Sequence, residues 1–188
     1  MNQKNFIEST SKQFQYYKHL GEKAIAQLDD EEIFDEDSAW VNNVAVIVKH
    51  LHGNMMSRWT DFLDSDGEKE WRERDGEFDF DVKNREEMMK LWEEGWSKVF
   101  SALQQAKSAN NDQLVYIRNQ GHTIAEAILR QVTHYAYHVG QIVYIAKLQR
   151  EKNWISLSIP RGESKSFNKN KFKQAKSKGH FTDDFFEK

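Results

Sequence analysis

The sequence predicts an all-α domain, a four-helix bundle with a long loop after the second helix and a short β-like segment before the fourth. Three observations carry this. Four segments repeat apolar residues at helical spacing, the 188-residue chain contains a single proline, and 13% of its residues are aromatic. Side chains three and four apart share one face of a helix, so each repeat marks a face that needs burial. A chain of this length forms a core large enough to need no staples.

The first stripe runs from about Asn5 to Leu28, through Phe6, Thr10, Phe14, Tyr17 and Ala24. The acidic stretch Asp29 to Asp37 reads as a connection. Ser38 is then placed to cap a second helix, because its hydroxyl can accept from the free amides of a first turn. That helix carries Trp40, Val44, Ile47, Val48, Leu51 and Met55 and fades near Phe62. Residues 64–80 are charged and hold Gly67 and Gly76; Trp71, Phe78 and Phe80 call for burial, so an ordered loop is expected. Within it, the run Glu68 to Glu77 reads as solvated, with Arg72 or Arg74 able to meet an anion.

A third helix is expected from about Val82 to Lys107, with Met88, Leu91, Trp92, Trp96, Val99 and Leu103 inward. Leu114 to Arg118 is β-like. Thr123 and Glu126 have the spacing of a capping box, which starts the fourth helix at about residue 124 and carries it to about Lys152. Trp154 to Pro160 alternates as an extended strap, and a lysine-rich polar tail follows. The division is therefore a bundle over 1–160 and a tail over 161–188.

Composition narrows the function. The net charge is -3, with acids and bases interspersed, which gives no electrostatic case for nucleic acid. No apolar run approaches the roughly 20 residues needed to cross a bilayer, and the first residues lack the apolar stretch of a signal peptide. Cysteine is absent, so neither a disulfide nor a thiol nucleophile is available from the chain. A soluble, cytoplasmic protein is the expectation.

The chemistry concentrates in the fourth helix. His134 and His138 lie four apart, which stacks both imidazoles on one face, and neutral imidazole is the commonest transition-metal ligand. Gln131 and Gln141 lie near the same stripe. A zinc-type site needs a third ligand from a facing helix, since bundle metals are held between helices. His50 and His52 are the candidates. Consecutive helix positions turn by about 100°, so the two cannot both face inward, and periodicity does not choose between them. His19, His122 and His180 are weaker.

The segments Lys49-His50-Leu51-His52-Gly53-Asn54, Ser57-Arg58-Trp59, Asp66-Gly67-Glu68-Lys69, Arg74-Asp75-Gly76-Glu77-Phe78 and His134 through Gln141 resemble the DinB/YfiT-like superfamily. Within it they resemble a branch known only as a domain of unknown function, over about Asn5 to Phe167. The resemblance implies a four-helix bundle binding a divalent metal through one histidine of the second helix and an HxxxH pair on the fourth. It therefore selects His50, with His134 and His138. Zinc and nickel both suit such a donor set.

The superfamily includes metal-dependent transferases of low-molecular-weight thiols such as bacillithiol or mycothiol, and proteins resembling metal-dependent hydrolases. The implied activity is transfer of a thiol, supplied externally because the chain has no cysteine, to a small electrophile. The alternatives are hydrolysis, or a non-catalytic metal-binding or scaffold role. The resemblance also implies a homodimer. Asn54, Gln131 and Gln141 are expected to support the ligands. Arg58 is expected either to recognise a substrate carboxylate or to tie down the loop that follows it.

Overall fold

Burying four apolar stripes at once sets the architecture. The computed structural model describes residues 3–36, 41–110 and 112–186. Its long helices are α1 (Gln3–Ile25), α3 (Val44–Trp59), α4 (Arg85–Ala106) and α5 (Ile124–Arg150). Helix α1 packs on α4 and α5, and α3 packs on the same two, so the four close a ring around one core.

Each long helix contributes one large aromatic residue to the centre: Phe14, Trp59, Trp96 and Tyr135, all essentially buried. The Phe14 ring lies 5.9 Å from Trp59, 6.2 Å from Trp96 and 5.7 Å from Tyr135, mostly edge to face. Such pairs add about 0.5–1.5 kcal/mol each beyond the area they bury. The Tyr135 hydroxyl accepts from Trp59 Nε1 at 2.8 Å and donates to Asn54 Oδ1 at 3.1 Å. The buried phenol is thereby satisfied, as burial requires.

The helix starts follow local capping chemistry. Ser38 and Trp40 lie outside the described residues, and the cap of α3 is Asn43, whose side chain accepts from the Val46 amide at 2.9 Å. The acidic connection after α1 contains a short helix, α2 (Asp30–Ile33), because Asp29 and Glu32 form their own capping box and Ile33 is fully buried. Helix α4 begins at Arg85 under an Asn84 cap, slightly later than the apolar stripe indicates. Helix α5 begins at Ile124, with the Thr123–Glu126 capping box in place.

The β-like run is half of a hairpin. Strands β1 (Leu114–Ile117) and β2 (Gln120–Thr123) are antiparallel, joined at Arg118 and Asn119. Both turn residues have positive φ, 56° and 60°, as a two-residue turn matched to strand twist requires. Neither is glycine. The Asp66 carboxylate accepts from both turn amides at 2.8 Å and so holds the conformation.

Two expectations about burial fail. Trp71 is 57% exposed and Phe80 is 42% exposed, so the aromatics do not anchor the 64–80 loop; among the three, Phe78 packs, against His50. Beyond residue 160 the polar tail is partly helical and packs back on the bundle. It forms α6 (Ser164–Lys171) and α7 (Asp183–Phe186), and the latter returns to α1 through Lys12–Asp183 at 2.6 Å and the Tyr16–Phe185 rings at 4.7 Å. Among the described residues, no helix is long and apolar enough to cross a membrane.

Candidate metal centre

The four-residue spacing on α5 brings His134 and His138 together, with their Nε2 atoms 3.1 Å apart. From α3, His50 faces the pair, its ring centroid 4.7 Å from that of His138 and 5.5 Å from that of His134. One nitrogen from each ring lies within 4.8 Å of the others. His52 points elsewhere: its Nε2 is 3.5 Å from a Glu94 carboxylate oxygen on α4. His180 is bound to Ser9 and Thr182, far along the chain from the triad.

The orientation of His50 comes from the charged loop. Glu77 Oε2 accepts from His50 Nδ1 at 2.8 Å, which leaves Nε2 for the centre. Glu77 is itself clamped by Arg72, with Nε on Oε1 at 2.7 Å and Nη2 on Oε2 at 3.0 Å. This fork is nearly sealed, since the Arg72 side chain is 2% exposed. Burial works against the charge on Glu77, but the bonds from His50 and Arg72 outweigh it and hold the carboxyl below its usual range. A carboxylate behind a ligating imidazole fixes its tautomer and raises its basicity.

Glu77 fits because Gly53 has no side chain. A Cβ at Gly53 would lie 2.6 Å from Glu77 Cδ and 2.9 Å from Cγ. Glycine inside a helix costs about 1 kcal/mol relative to alanine, so its presence in α3 calls for a packing reason. Phe78 adds a ring stacked on His50 at 4.8 Å.

The pair on α5 has its own support. Gln141 Oε1 accepts from His138 Nδ1 at 2.7 Å, which leaves the His138 Nε2 lone pair toward His134. Burial, then the neighbouring His138 and His50 and the Arg58 and Arg72 guanidiniums, push His134 down to about 3. Burial and His50 push His138 down to about 4, against the pull of Gln141. Both rings are therefore neutral at pH 7, the form that coordinates metal. Nitrogens on a tetrahedral zinc stand roughly 3.3 Å apart for bonds of about 2.0–2.1 Å. The His134–His138 spacing of 3.1 Å meets that requirement, and with one nitrogen of each ring within 4.8 Å of the others, side-chain movement of about 1 Å would let the set hold a divalent metal.

The remaining expected residues divide by role. Asn54 is engaged with Tyr135 beneath the site. Arg58 ties down the loop: it donates to the Gly67 carbonyl and pairs with Glu68 at 2.9 Å, beside the Ser57 hydroxyl bond to the same carbonyl at 2.7 Å. Gln131 is buried and borders the cavity, and its Oε1 has no protein partner among the described residues. Sequence reasoning missed Glu77, Arg118 and Arg130. The signal for Glu77 was available in Gly53, and that for Arg130 in its place four residues before His134; Arg118 has none, since its place depends on the hairpin.

That cavity, about 600 Å³, opens directly over the triad. Its wall includes Arg58, Arg72, Arg74, Arg118 and Arg130, and none of its lining residues is acidic.

A family model described as "Protein of unknown function (DUF1572)" matches residues 2–163. No curated protein matches the chain, and no solved structure does.

Proposed function

The chain belongs to the DUF1572 family, whose function is unknown, and we propose that it is a metal-dependent enzyme of the DinB/YfiT-like kind. The observation that carries this is the convergence of three imidazoles beneath an open cavity, with His50 fixed by a buried Glu77–Arg72 fork. A buried ion pair is a poor source of stability compared with apolar packing, so its expense is better understood as service to His50. In a bundle of this type, His50, His134 and His138 would hold a divalent ion, zinc or nickel, between α3 and α5.

When bound, the ion supplies Lewis acidity, which makes a nucleophilic water or thiol more acidic and polarises an electrophile. The chain's own residues do the rest. Glu77 accepts the Nδ1 proton of His50 and Gln141 that of His138, so both rings present their Nε2 lone pairs inward. The Arg58 and Glu68 contacts keep the loop closed over one side of the site, while the cavity admits a small molecule on the other. With no cysteine in the chain, a thiol nucleophile would come from outside. Thiol transfer to a small electrophile is the favoured reaction by resemblance, and hydrolysis uses the same parts.

Metal content by mass spectrometry on tag-free protein tests this, beside a His134→Ala/His138→Ala variant. Near one equivalent in the parent, lost in a variant that still folds, supports the metal site. Folded parent that stays metal-free after incubation with zinc or nickel refutes it. His50→Ala then separates roles: a catalytic metal predicts lost turnover in thiol-transfer and esterase assays, whereas a structural metal predicts chiefly a lower Tm.

A further inference from the structure

The wall of the cavity has a chemistry that holding a metal does not explain. Five guanidinium groups line it, and the carboxylates that touch them are fewer. Arg58 and Arg72 are spent on Glu68 and Glu77. Arg118 reaches Glu68 at 3.2 Å, but that carboxylate is already shared with Arg58 and Arg72. Arg74 has a contact with Asp75 at 3.9 Å, at the limit of an ion pair, and lies over the Phe78 ring at 5.3 Å. Arg130 has no acidic partner among the described residues. The wall is therefore electropositive although the whole chain carries a net charge of -3.

The placement is specific as well. Arg130, His134 and His138 occupy successive turns of α5, so the first lies on the stripe of the other two. Arg74 is one ring away from the centre, through Phe78 stacked on His50. Arg118 is held at the rim by the turn that Asp66 braces. Three elements distant in sequence thus bring under-neutralised guanidiniums to one opening. Guanidinium is the group that binds carboxylate or phosphate with two parallel bonds.

We infer that Arg74, Arg118 and Arg130 form an oxyanion-recognition rim, and that the substrate is a small molecule carrying a carboxylate or phosphate at its non-reacting end. Its catalytic meaning rests on the metal-enzyme reading above. Anion binding itself does not, because the rim is built from residues that leave the three histidines alone.

Isothermal titration of chelator-treated protein with inorganic phosphate and, separately, malonate tests the rim and tells the two anion chemistries apart. We expect at least one probe to bind the wild type, more weakly as salt is raised. Each of Arg74→Ala and Arg130→Ala is expected to weaken binding by about fivefold, the upper range for an exposed charge pair. Lys165→Ala, a charge removed from the distant α6, is expected to leave it unchanged. Binding of neither probe to the wild type, or equal binding by the wild type and the Arg74→Ala/Arg130→Ala double variant, overturns the inference. So does a loss in Lys165→Ala as large as in the rim variants. Repeating the titration after zinc addition separates the two proposals. Rim binding without zinc uptake sinks the metal reading alone, and zinc uptake with a silent rim sinks this one alone.

Discussion

Replacing Gly53 by alanine should have opposite effects with and without Glu77. In α3 taken alone, alanine is favoured over glycine by about 1 kcal/mol. In the folded protein the new methyl would stand 2.6 Å from Glu77 Cδ and 2.9 Å from Cγ, whereas carbon atoms settle at about 3.5–4.0 Å. The carboxylate must retreat by about 1 Å, and it is fixed on its other side by His50 at 2.8 Å and Arg72 at 2.7 Å. Overpacking of this kind costs about 1–3 kcal/mol, and a stretched bond to a charged group about 1.5–3 kcal/mol. Gly53→Ala should therefore destabilise the protein by about 1–3 kcal/mol net of its helix gain. With Glu77→Ala as background the obstruction is gone, and the same change should stabilise by up to about 1 kcal/mol. The assay is urea unfolding of four chelator-treated proteins, parent, both single variants and the double. The coupling should be about 1–4 kcal/mol, in or above the upper part of the range for contacting residues. An equal effect of Gly53→Ala in both backgrounds would refute the claim that this glycine exists to seat Glu77.

Other perturbations address separate parts of the site. Glu77→Gln keeps the volume but loses the charge, and should weaken zinc binding by about 10–100-fold in competition with a chromophoric chelator; affinity unchanged within twofold would remove Glu77 from the metal site. The metal-free protein should lose stability as pH falls from 7 to 5. His134 and His138 are held by burial at about 3 and about 4 when folded but titrate near 6.5 when unfolded, so the unfolded chain takes up protons first. Their contribution is complete above 6.5 and is lost progressively from there down to the folded values of about 3 and about 4, at less than about 1.4 kcal/mol per unit for each half-buried ring. An unaltered Tm slope in a His134→Asn/His138→Asn variant would contradict this. Ending the chain after residue 163 removes the exposed Lys12–Asp183 pair and the Tyr16–Phe185 contact, so Tm should drop by a few degrees, at about 2–4 °C per kcal/mol, while zinc affinity is retained.

What was legible in the sequence is what depends on local periodicity. The four long helices, the Thr123–Glu126 cap and the inward face of His134 and His138 follow from residues within two turns of one another. The choice of His50 over His52 did not, because both lie on buried or half-buried faces of α3 and the difference is which neighbouring helix each meets. Helix α3 begins at Val44 under Asn43, past the Ser38 that composition favoured. The loop was the least legible. Its aromatics suggested burial, yet Trp71 and Phe80 are exposed, and order comes from polar contacts made at a distance in sequence. Asp66 reaches the hairpin amides more than fifty residues on, and Glu77 reaches back to His50. No periodicity encodes such bonds; a glycine in the middle of a helix was the one local trace of them.

Charge is sorted in this site by what each group must do. A neutral imidazole ligand brings no charge of its own, so an ion held by His50, His134 and His138 would keep its full positive charge, which is what makes a bound nucleophile acidic. Placing arginines around such a centre would by itself weaken cation binding. Glu77 and Glu68 answer that problem: each stands between a histidine or arginine of α3 and Arg72, neutralising the buried guanidiniums without becoming ligands. The positive charge left over is then confined to Arg74, Arg118 and Arg130 at the rim, where water still screens it. Exposed charges of that kind add little to stability but raise the encounter rate and orient an approaching anion. One consequence separates this arrangement from a uniformly basic pocket. Reversing a rim charge, as in Arg130→Glu, should leave zinc affinity within a few-fold of the parent, because solvent screening limits an exposed charge to about 1 kcal/mol. Removing Glu68 should expose the buried Arg58 and Arg72 charges to the centre and weaken zinc binding more. The order of those two losses, measured by the same chelator competition, decides whether the carboxylates of the loop balance charge for the metal or only hold the loop in place.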